Sequence, residues 1–404
     1  MTIEIKRCQW RILQTCLSLL VTLQLCVTAY AAETTLVLDL AAGGVYNDNL
    51  RLRPSGQEQD LWGVATEAEL YWRWRTQAHS FRLVPRGRAV WYPEDSSENR
   101  SDWLVNGVYG YTGSRALFNI DMELSRLDTL TSELESPEPG GGGSPGAGAG
   151  DVREKNHQDR IILDSDFRYS ISSDSRLIFA HEFKNIRFDT QRQTQNDYIA
   201  NRLDAGWEAN FSIDYVFRVL GYGSRFDPDN GPYVDTYGAS VGFDYSASDV
   251  LDIFASFGAA KTDGTDEATL EPSIGFNYEG IRTSWRGSLG RSIVPNSTGS
   301  LAIRDTISLV VQHELSSTSR IGAGILAFDS QSLVEPLLST ANDRDYARFR
   351  LDYRWALARD YWISFEYAYT WQKYDSLPDS NQSNAIAIWF RYEKERRPDI
   401  VSAP

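Results

Sequence analysis

The chain has 404 residues, a formal net charge of −15, and 12 Trp, 21 Tyr and 17 Phe among its side chains. This length permits one large domain or two to three ordinary ones, and the acidic balance argues against a general nucleic-acid binder. The aromatic content is high for a chain in which 24% of the residues are charged. Large interfacial side chains are therefore the first feature that a fold must accommodate.

Residues 1–31 have the features of a secretory signal peptide. Three basic residues between positions 6 and 11 precede the uncharged apolar run ILQTCLSLLVTLQLCVTA, and Ala29-Tyr30-Ala31 fits a small-x-small cleavage site. We expect cleavage after Ala31. The alternative is an uncleaved membrane anchor, for which the apolar run is only marginally long enough.

All three cysteines, Cys8, Cys16 and Cys26, lie within this leader. The mature chain is therefore expected to have no disulfide, no thiolate nucleophile and no cysteine-based metal site. Removal of the leader takes away three basic residues and Glu4, which changes the net charge from −15 to −17.

A long series of alternating polar and apolar segments follows the leader, and no later segment is apolar over the length that a membrane-spanning helix requires. About eighteen such segments can be counted, for example TLVLDLAAGGVY, ATEAELYWRWR, YARFRLDYRW and NAIAIWFRY. Each is close to the ten residues of a tilted membrane strand. The links between them are alternately short, as in TGSR and LARD, and longer and polar, as in PEDSSENRSD and KYDSLPDSNQSN.

Strict alternation of short and long links is typical of the periplasmic turns and extracellular loops of an outer-membrane barrel. We therefore predict an all-β fold, a transmembrane antiparallel up-and-down β-barrel of about 18 strands over residues 32–395. Both termini are expected to be periplasmic, and residues 396–404 form a short C-terminal tail. The Gly/Pro-rich segment 132–160 falls where an extracellular loop is due, so we predict a long loop there, with a domain boundary as the alternative.

Alternate positions separate apolar from charged residues within single segments. In YWRWRTQAHSFRLVPRGRAVWY (residues 71–92), Trp72 and Trp74 share one phase, and Arg73 and Arg75 share the other. A β-sandwich also has one apolar and one polar face, so alternation alone does not decide. The aromatic residues cluster near strand ends on the apolar face, as expected at a lipid–water boundary. We therefore expect the apolar face to contact lipid and the charged face to line a hydrated lumen.

The charged face contains two groups of predicted lumen-lining residues. The basic group consists of Arg73, Arg75, Arg82, Arg86, Arg88, Arg348, Arg350, Arg354 and Arg391. The acidic group, from the middle strands, includes Asp164, Asp166 and Glu182, with Asp121, Glu123, Asp204, Glu208, Asp244 and Asp252. Closure of the barrel would gather the arginines on one wall and leave an acidic wall opposite. The arginines could then contact carboxylates or hydroxyls of a passing glycan, or the charges could pair with neighbouring strands and stiffen the wall.

The first predicted strand carries the segment GGVYNDNLRL, with Tyr46-Asn47-Asp48-Asn49-Leu50 at its core. This segment resembles the first strand of a family of bacterial outer-membrane β-barrel porins that are often encoded in exopolysaccharide gene clusters. The terminal segments WISFEYAYTWQKYDS and NAIAIWFRYE are similar to the end of that family. The resemblance implies an outer-membrane barrel that moves a secreted polysaccharide across the outer membrane, and it supplies no catalytic motif.

The resulting functional prediction is an outer-membrane channel for a secreted exopolysaccharide or for polar solutes. The alternatives are a general diffusion porin and a structural or adhesive barrel plugged by the Gly-rich segment 136–150. A hydrolase is the least favoured, because His79, His157, His181 and His313 have no Ser-containing motif at matching depth. Not being an enzyme, the protein is expected to need no cofactor and no metal.

The predicted location is the bacterial outer membrane, reached by way of the cleaved signal peptide. The expected partners are outer-membrane lipid and lipopolysaccharide, the barrel assembly machinery and, for polysaccharide export, a periplasmic export protein. No nucleic acid is expected among them. Ile386, Ile388, Phe390 and Tyr392 alternate on one face of the last strand and resemble the aromatic-ended segment that the assembly machinery recognises.

Overall fold

The computed structural model describes residues 32–134, 155–190, 195–296, 299–333, 343–375 and 379–394. The strands of this part of the chain are β1 (Glu33–Asn47), β2 (Leu61–Arg75), β3 (His79–Trp91), β4 (Arg100–Thr112), β5 (Ala116–Asp128), β6 (His157–Ser170), β7 (Ser175–Phe188), β8 (Tyr198–Asn210), β9 (Tyr215–Pro228), β10 (Val234–Ser248), β11 (Leu251–Thr262), β12 (Thr269–Glu279), β13 (Thr283–Pro295), β14 (Leu301–Ser316), β15 (Ser319–Ser332), β16 (Arg344–Ala358), β17 (Tyr361–Tyr374) and β18 (Ser380–Glu393). One short helix, α1 (Thr129–Leu134), and one 3₁₀ turn, Ser96–Glu98, lie between strands.

The strands form a closed antiparallel barrel in which each strand pairs with its neighbours in sequence. Closure is made by β1, which pairs with β2 on one side and with β18 on the other. In this register Ala41 of β1 lies opposite Glu67 of β2 and opposite Arg391 of β18. The prediction of an antiparallel up-and-down barrel of about 18 strands is confirmed. We call the strands on either side of this closure, β16–β18 and β1–β3, the seam.

The two rims of the barrel differ in the length of their connections. At one, the turn rim, hairpins such as β2–β3 and β10–β11 are joined by two to four residues. At the other, the loop rim, connections are longer and include residues 48–60 and the stretch that contains α1. The predicted 132–160 loop is shortened here, because β5 runs into α1 and β6 already begins at His157. Residues 1–31, 135–154 and 395–404 lie outside the described residues, so the leader, the Gly-rich segment and the tail stay predictions.

The outer surface is apolar and carries aromatic residues near both rims. Near the loop rim Trp62, Trp91 and Trp103 are exposed on this surface, and near the turn rim Trp285 and Trp355 are. Such exposure would be unfavourable in water but suits a surface covered by lipid, with the amphipathic indole rings at the headgroup level.

Within the described residues, no helix is long and apolar enough to span a membrane.

Candidate functional site in the barrel lumen

All nine predicted arginines lie on the interior face, because they share the phase opposite the exposed apolar residues of their strands. Five of them line a single cavity at the seam: Arg86, Arg88, Arg348, Arg350 and Arg391. The other four, Arg73, Arg75, Arg82 and Arg354, lie nearer the turn-rim ends of β2, β3 and β16. Closure through β1 and β18 therefore brings together basic residues from distant sequence segments. They lie at two heights along the barrel axis, one at the cavity and one nearer the turn rim.

The cavity at the seam, which we call the seam cavity, has a volume of about 240 Å³. Its charged lining consists of Arg86, Arg88, Arg100, Arg160, Arg348, Arg350 and Arg391 with Glu67, Asp102, Glu123 and Glu366. Seven guanidinium groups against four carboxylates leave a surplus of three positive charges. Arg100 and Arg160 were not among the predicted site residues, although both occupy the interior phase of their strands.

Glu67 is the carboxylate at the centre of this charged lining. Its Oε1 atom lies 3.0 Å from Arg86 Nη2 and 3.6 Å from Arg391 Nη1, and Glu366 lies 4.0 Å from Arg391 Nη2. The guanidinium groups of Arg88 and Arg391 also lie 5.5 and 5.6 Å from the ring centroid of Trp389. These contacts fix Arg86, Arg88 and Arg391 against the wall.

A segment from the loop rim occupies the interior next to this cavity. The β1–β2 connection, residues 48–60, turns into the barrel, and we call it the inserted loop. Its Leu50 and Leu52 are buried, Leu52 fully at 0% exposure. They pack in one apolar cluster whose other members are Ala41, Leu61, Ala65, Val90, Tyr92, Leu130, Phe328, Tyr346 and Trp389. An apolar core inside the barrel mouth therefore holds the loop in place.

Arg51 places a charge between these two leucines, and its side chain is only 2% exposed. Arg51 Nε donates to Glu98 Oε2 at 2.9 Å, and Arg51 Nη1 donates to Asp128 Oδ1 at 3.2 Å. Both carboxylates are also buried. Asp128 lies at the end of β5 and also accepts a hydrogen bond from the backbone N–H of Leu130 in α1. The ion triad therefore ties the inserted loop to the β3–β4 connection and to α1.

The Asn47-Asp48-Asn49 segment fastens the start of the inserted loop to β18. The Asp48 carboxylate accepts hydrogen bonds from the backbone N–H of Asn384 at 2.6 Å and from Asn384 Nδ2 at 2.7 Å. Asn49 Nδ2 donates to the carbonyl of Gln382 at 3.0 Å, and Asn47 Oδ1 accepts from the backbone N–H of Asn49 at 2.8 Å. The Asn47-Asp48-Asn49 motif, which carries the family resemblance, therefore helps to close the barrel. Its polar side chains bind β18, and the next residue, Leu50, packs inside the lumen.

A second tie joins the inserted loop to the β3–β4 connection. Asp95 accepts hydrogen bonds from the Ser97 hydroxyl at 2.5 Å, the Ser97 backbone N–H at 3.0 Å and Gln59 Nε2 at 3.1 Å. These bonds, that from the Ser97 hydroxyl first, lower the pKa of the Asp95 carboxyl below its ordinary value. Asp95 therefore stays ionised under mildly acidic conditions and keeps this tie.

Away from the seam, the predicted acidic residues face the interior beside cations. Asp166 lies 3.0 Å from Arg168 Nε, and Glu182 pairs with Lys184. Glu208, which is buried, binds Arg218 Nε at 2.8 Å. Asp164 of β6 lies opposite Glu182 of β7 in the register. The expected acidic wall is therefore partly neutralised by basic side chains on the same strands. These basic residues were not predicted as site residues, although several lie two positions from an acidic residue on the same face.

Part of the interior away from the seam, on β13, is open to water. Arg286 and Ser288 of β13 lie on the interior face and are exposed. Arg286 Nε donates to Asn277 Oδ1 at 3.1 Å on the neighbouring strand. The lumen is therefore filled at the seam near the loop rim and hydrated along part of β13.

The histidines on the outer surface do not form a catalytic group with one another. His313 shares a hydrogen bond of 2.7 Å with the Thr283 hydroxyl, and His79 shares one of 2.9 Å with the Tyr109 hydroxyl. Among the described residues, no three His, Cys, Asp or Glu side chains are grouped so that they could hold a metal ion.

Comparisons with solved structures retrieve outer-membrane proteins. OpdQ of Pseudomonas aeruginosa matches with 9% identity and a TM-score of 0.43, over 89% of this chain and 97% of that chain. The outer membrane channel DcaP of Acinetobacter baumannii matches with 12% identity and a TM-score of 0.44, over 90% and 97%. OccK2 of P. aeruginosa matches with 8% identity and a TM-score of 0.45, over 90% and 99%. The likeness is one of fold alone.

No model of a protein family matches the sequence, and no curated protein does. The resemblance of GGVYNDNLRL to the exopolysaccharide-associated porins therefore stays a prediction.

Proposed function

We propose that this protein is an outer-membrane channel that passes a secreted exopolysaccharide, or other polar solutes, through its charged lumen. The observation that carries the proposal is the closed 18-stranded barrel with an apolar, aromatic outer surface and a charged interior. Barrels of this strand number leave an aqueous channel when the interior is not filled. Charged side chains on the inner face support hydration, because they would be hard to satisfy in a dry core.

The polysaccharide part of the proposal has separate support. It rests on the Asn47-Asp48-Asn49 motif and on the arginines gathered at the seam, which suit the acidic and hydroxyl groups of a glycan. A general diffusion porin has the same barrel but needs no organised basic cavity. Cleavage of the signal peptide, folding by the barrel assembly machinery, contact with lipopolysaccharide and cooperation with a periplasmic export protein belong to the same proposal.

Conductance in planar lipid bilayers tests the channel directly. We expect the full-length mature protein to give stepwise currents, and liposomes that contain it to swell in solutions of small sugars. Deletion of residues 140–150 distinguishes an open channel from a barrel that is plugged by the Gly-rich segment. No current before the deletion and a clear current after it would indicate that plug, and no current from either protein would contradict the channel.

The basic residues of β3 give a prediction on ion selectivity. Replacement of Arg82, Arg86 and Arg88 by glutamine removes three positive charges from the interior, and the lost local potential is expected to shift the anion-to-cation permeability ratio toward cations about twofold or more. The reversal potential in a salt gradient measures this ratio.

Barrel integrity is the control for this triple variant. Slow migration of the heated protein and fast migration of the unheated protein on gels should be retained, because Glu67 keeps Arg391 as a partner. If the substitution instead prevents membrane insertion, the three arginines are structural and do not set selectivity.

A further inference from the structure

We propose that the seam cavity is a binding site for a single acidic sugar residue, whose carboxylate is held by Arg348 and Arg350. The inference rests on the proposed channel function and names the chemical class of solute that the channel selects. It is based on the volume of the seam cavity and on its surplus of positive charge.

The cavity is large enough for a sugar ring. Its volume of about 240 Å³ is several times the roughly 30 Å³ that one water molecule occupies in the liquid. The apolar cluster of Leu50, Tyr92 and Trp389 borders the cavity on the side of the inserted loop. A polymer could therefore place one residue at a time in this space while its neighbours lie in the hydrated part of the lumen.

The charge of the cavity selects for an anion. Arg86 and Arg391 are engaged with Glu67, whereas the side chains of Arg348 and Arg350 have no ion pair or hydrogen bond among the residues that the structure describes. Both arginines lie on the interior face of β16. Their Cα atoms are about 7 Å apart, which is the spacing of strand residues two positions apart. A guanidinium binds a carboxylate through two parallel hydrogen bonds, so these two side chains are the available donors.

The remaining lining distinguishes a sugar from an inorganic anion. Glu67 and Glu366 face the same cavity and can accept hydrogen bonds from hydroxyl groups, which an acidic sugar carries beside its carboxylate. A compact multivalent anion would gain from the arginines but would be repelled by these two carboxylates. The mixture of surplus arginines with a few carboxylates therefore fits a ligand that has both one negative charge and several hydroxyls.

Trp389 supplies an independent observation at the same place. Its side chain is 2% exposed and lines the cavity, and its indole Nε1 has no hydrogen-bond partner among the described residues. A buried donor without an acceptor is unfavourable, which an oxygen from a ligand or a bridging water would correct. Cation–π contacts with Arg88 and Arg391 hold the indole in this position.

Two assays on the full-length mature protein test the proposal. In planar bilayers, tetragalacturonate should block the current at a concentration at least tenfold lower than maltotetraose, a neutral sugar of equal length. In detergent micelles, calorimetric titration with the same two sugars should give the same order of affinity. The micelle assay does not need a conducting channel, so failure of the channel proposal and failure of the site give different results.

Variants then locate the site. The double variant Arg348→Gln/Arg350→Gln should raise the half-blocking concentration of tetragalacturonate at least tenfold in the bilayer and weaken binding equally in micelles. Arg286→Gln is the matched control, because Arg286 is also an interior arginine but lies on β13, away from the seam. The proposal is overturned if both variants respond alike, if maltotetraose binds as well as the acidic sugar, or if inorganic phosphate competes as strongly as galacturonate does.

Discussion

Replacement of Arg51 by alanine is expected to release the inserted loop from the lumen and to raise the conductance of the channel. The substitution removes the only cation that bridges Glu98 and Asp128 among the contacts of the described residues, and Asp128 is 0% exposed. Loss of one partner from a buried ion pair costs about 3–5 kcal/mol, because an uncompensated charge remains in a poorly hydrated place. Burial of Leu50 and Leu52 contributes about 1.5–3 kcal/mol each, so a cost of that size cancels most of what the apolar cluster contributes to docking of the loop.

Two measurements check this expectation. Single-channel conductance reports the free cross-section of the lumen, and amide hydrogen exchange over residues 48–60 reports whether the loop remains docked. Arg53→Ala is the matched control, because the Arg53 side chain is 37% exposed and lies 3.8 Å from Glu98. A long ion pair whose cation is exposed contributes about 0–1 kcal/mol, and Glu98 keeps Arg51 as its partner, so this variant should behave like the unmodified protein.

Rescue separates electrostatic release from general damage. In the Arg51→Ala background, Glu98→Gln and Asp128→Asn remove the two stranded charges, and protection of the loop should partly return. If Arg51→Ala leaves both the conductance and the exchange of residues 48–60 unchanged, the ion triad does not hold the loop in the lumen.

The barrel itself was predictable from the sequence because its determinants are local. A strand with one face in lipid and one in water must alternate with a period of two, so segments such as residues 71–92 reveal both the strands and their faces. The alternation of short and long links follows from the up-and-down topology, and the count of alternating segments predicts about eighteen strands. The placement of Arg348 and Arg391 near Arg86 then required only that the barrel close.

The inserted loop could not be predicted in the same way. Residues 48–60 have the composition of an ordinary connection, and the Gly-rich segment 136–150 was the predicted candidate for a plug. What draws the loop inside is long-range: Arg51 meets Glu98 and Asp128, which lie 47 and 77 positions further along the chain. The Asn47-Asp48-Asn49 motif was recognised only as a resemblance, because its partners on β18 lie more than 330 positions away.

The neutralisation of the predicted acidic wall was missed for a simpler reason. The acidic residues of the middle strands share their interior phase with basic residues that lie outside the predicted site. Arg168 lies two positions after Asp166, and Lys184 two positions after Glu182, so each pair shares the interior face. A count of both signs along each interior face would have predicted local pairing on these strands.

Replacement of Gly43 by alanine is expected to destabilise the barrel at its closure, whereas the same change at Gly44 should be tolerated. A methyl group on Gly43 would lie 2.3 Å from the Ile388 carbonyl oxygen and 3.0 Å from Cε3 of the Trp389 indole. Gly44 points to the opposite face, and a methyl group there meets nothing within 4 Å. The first clash involves backbone, so β1 and β18 must separate locally, and the indole must shift as well, at a cost of about 1–3 kcal/mol.

Heat modifiability on gels and urea unfolding followed by tryptophan fluorescence measure this difference. Gly43→Ala should lower the midpoint of unfolding relative to Gly44→Ala, and equal midpoints would show that the seam adjusts without cost. These two variants also bear on the seam cavity, because the Trp389 indole occupies the space that a side chain at position 43 would enter. If displacement of the indole is how the strain is relieved, Gly43→Ala should weaken block by tetragalacturonate while the arginines remain in place, which ties the closure of the barrel to the geometry of its binding site.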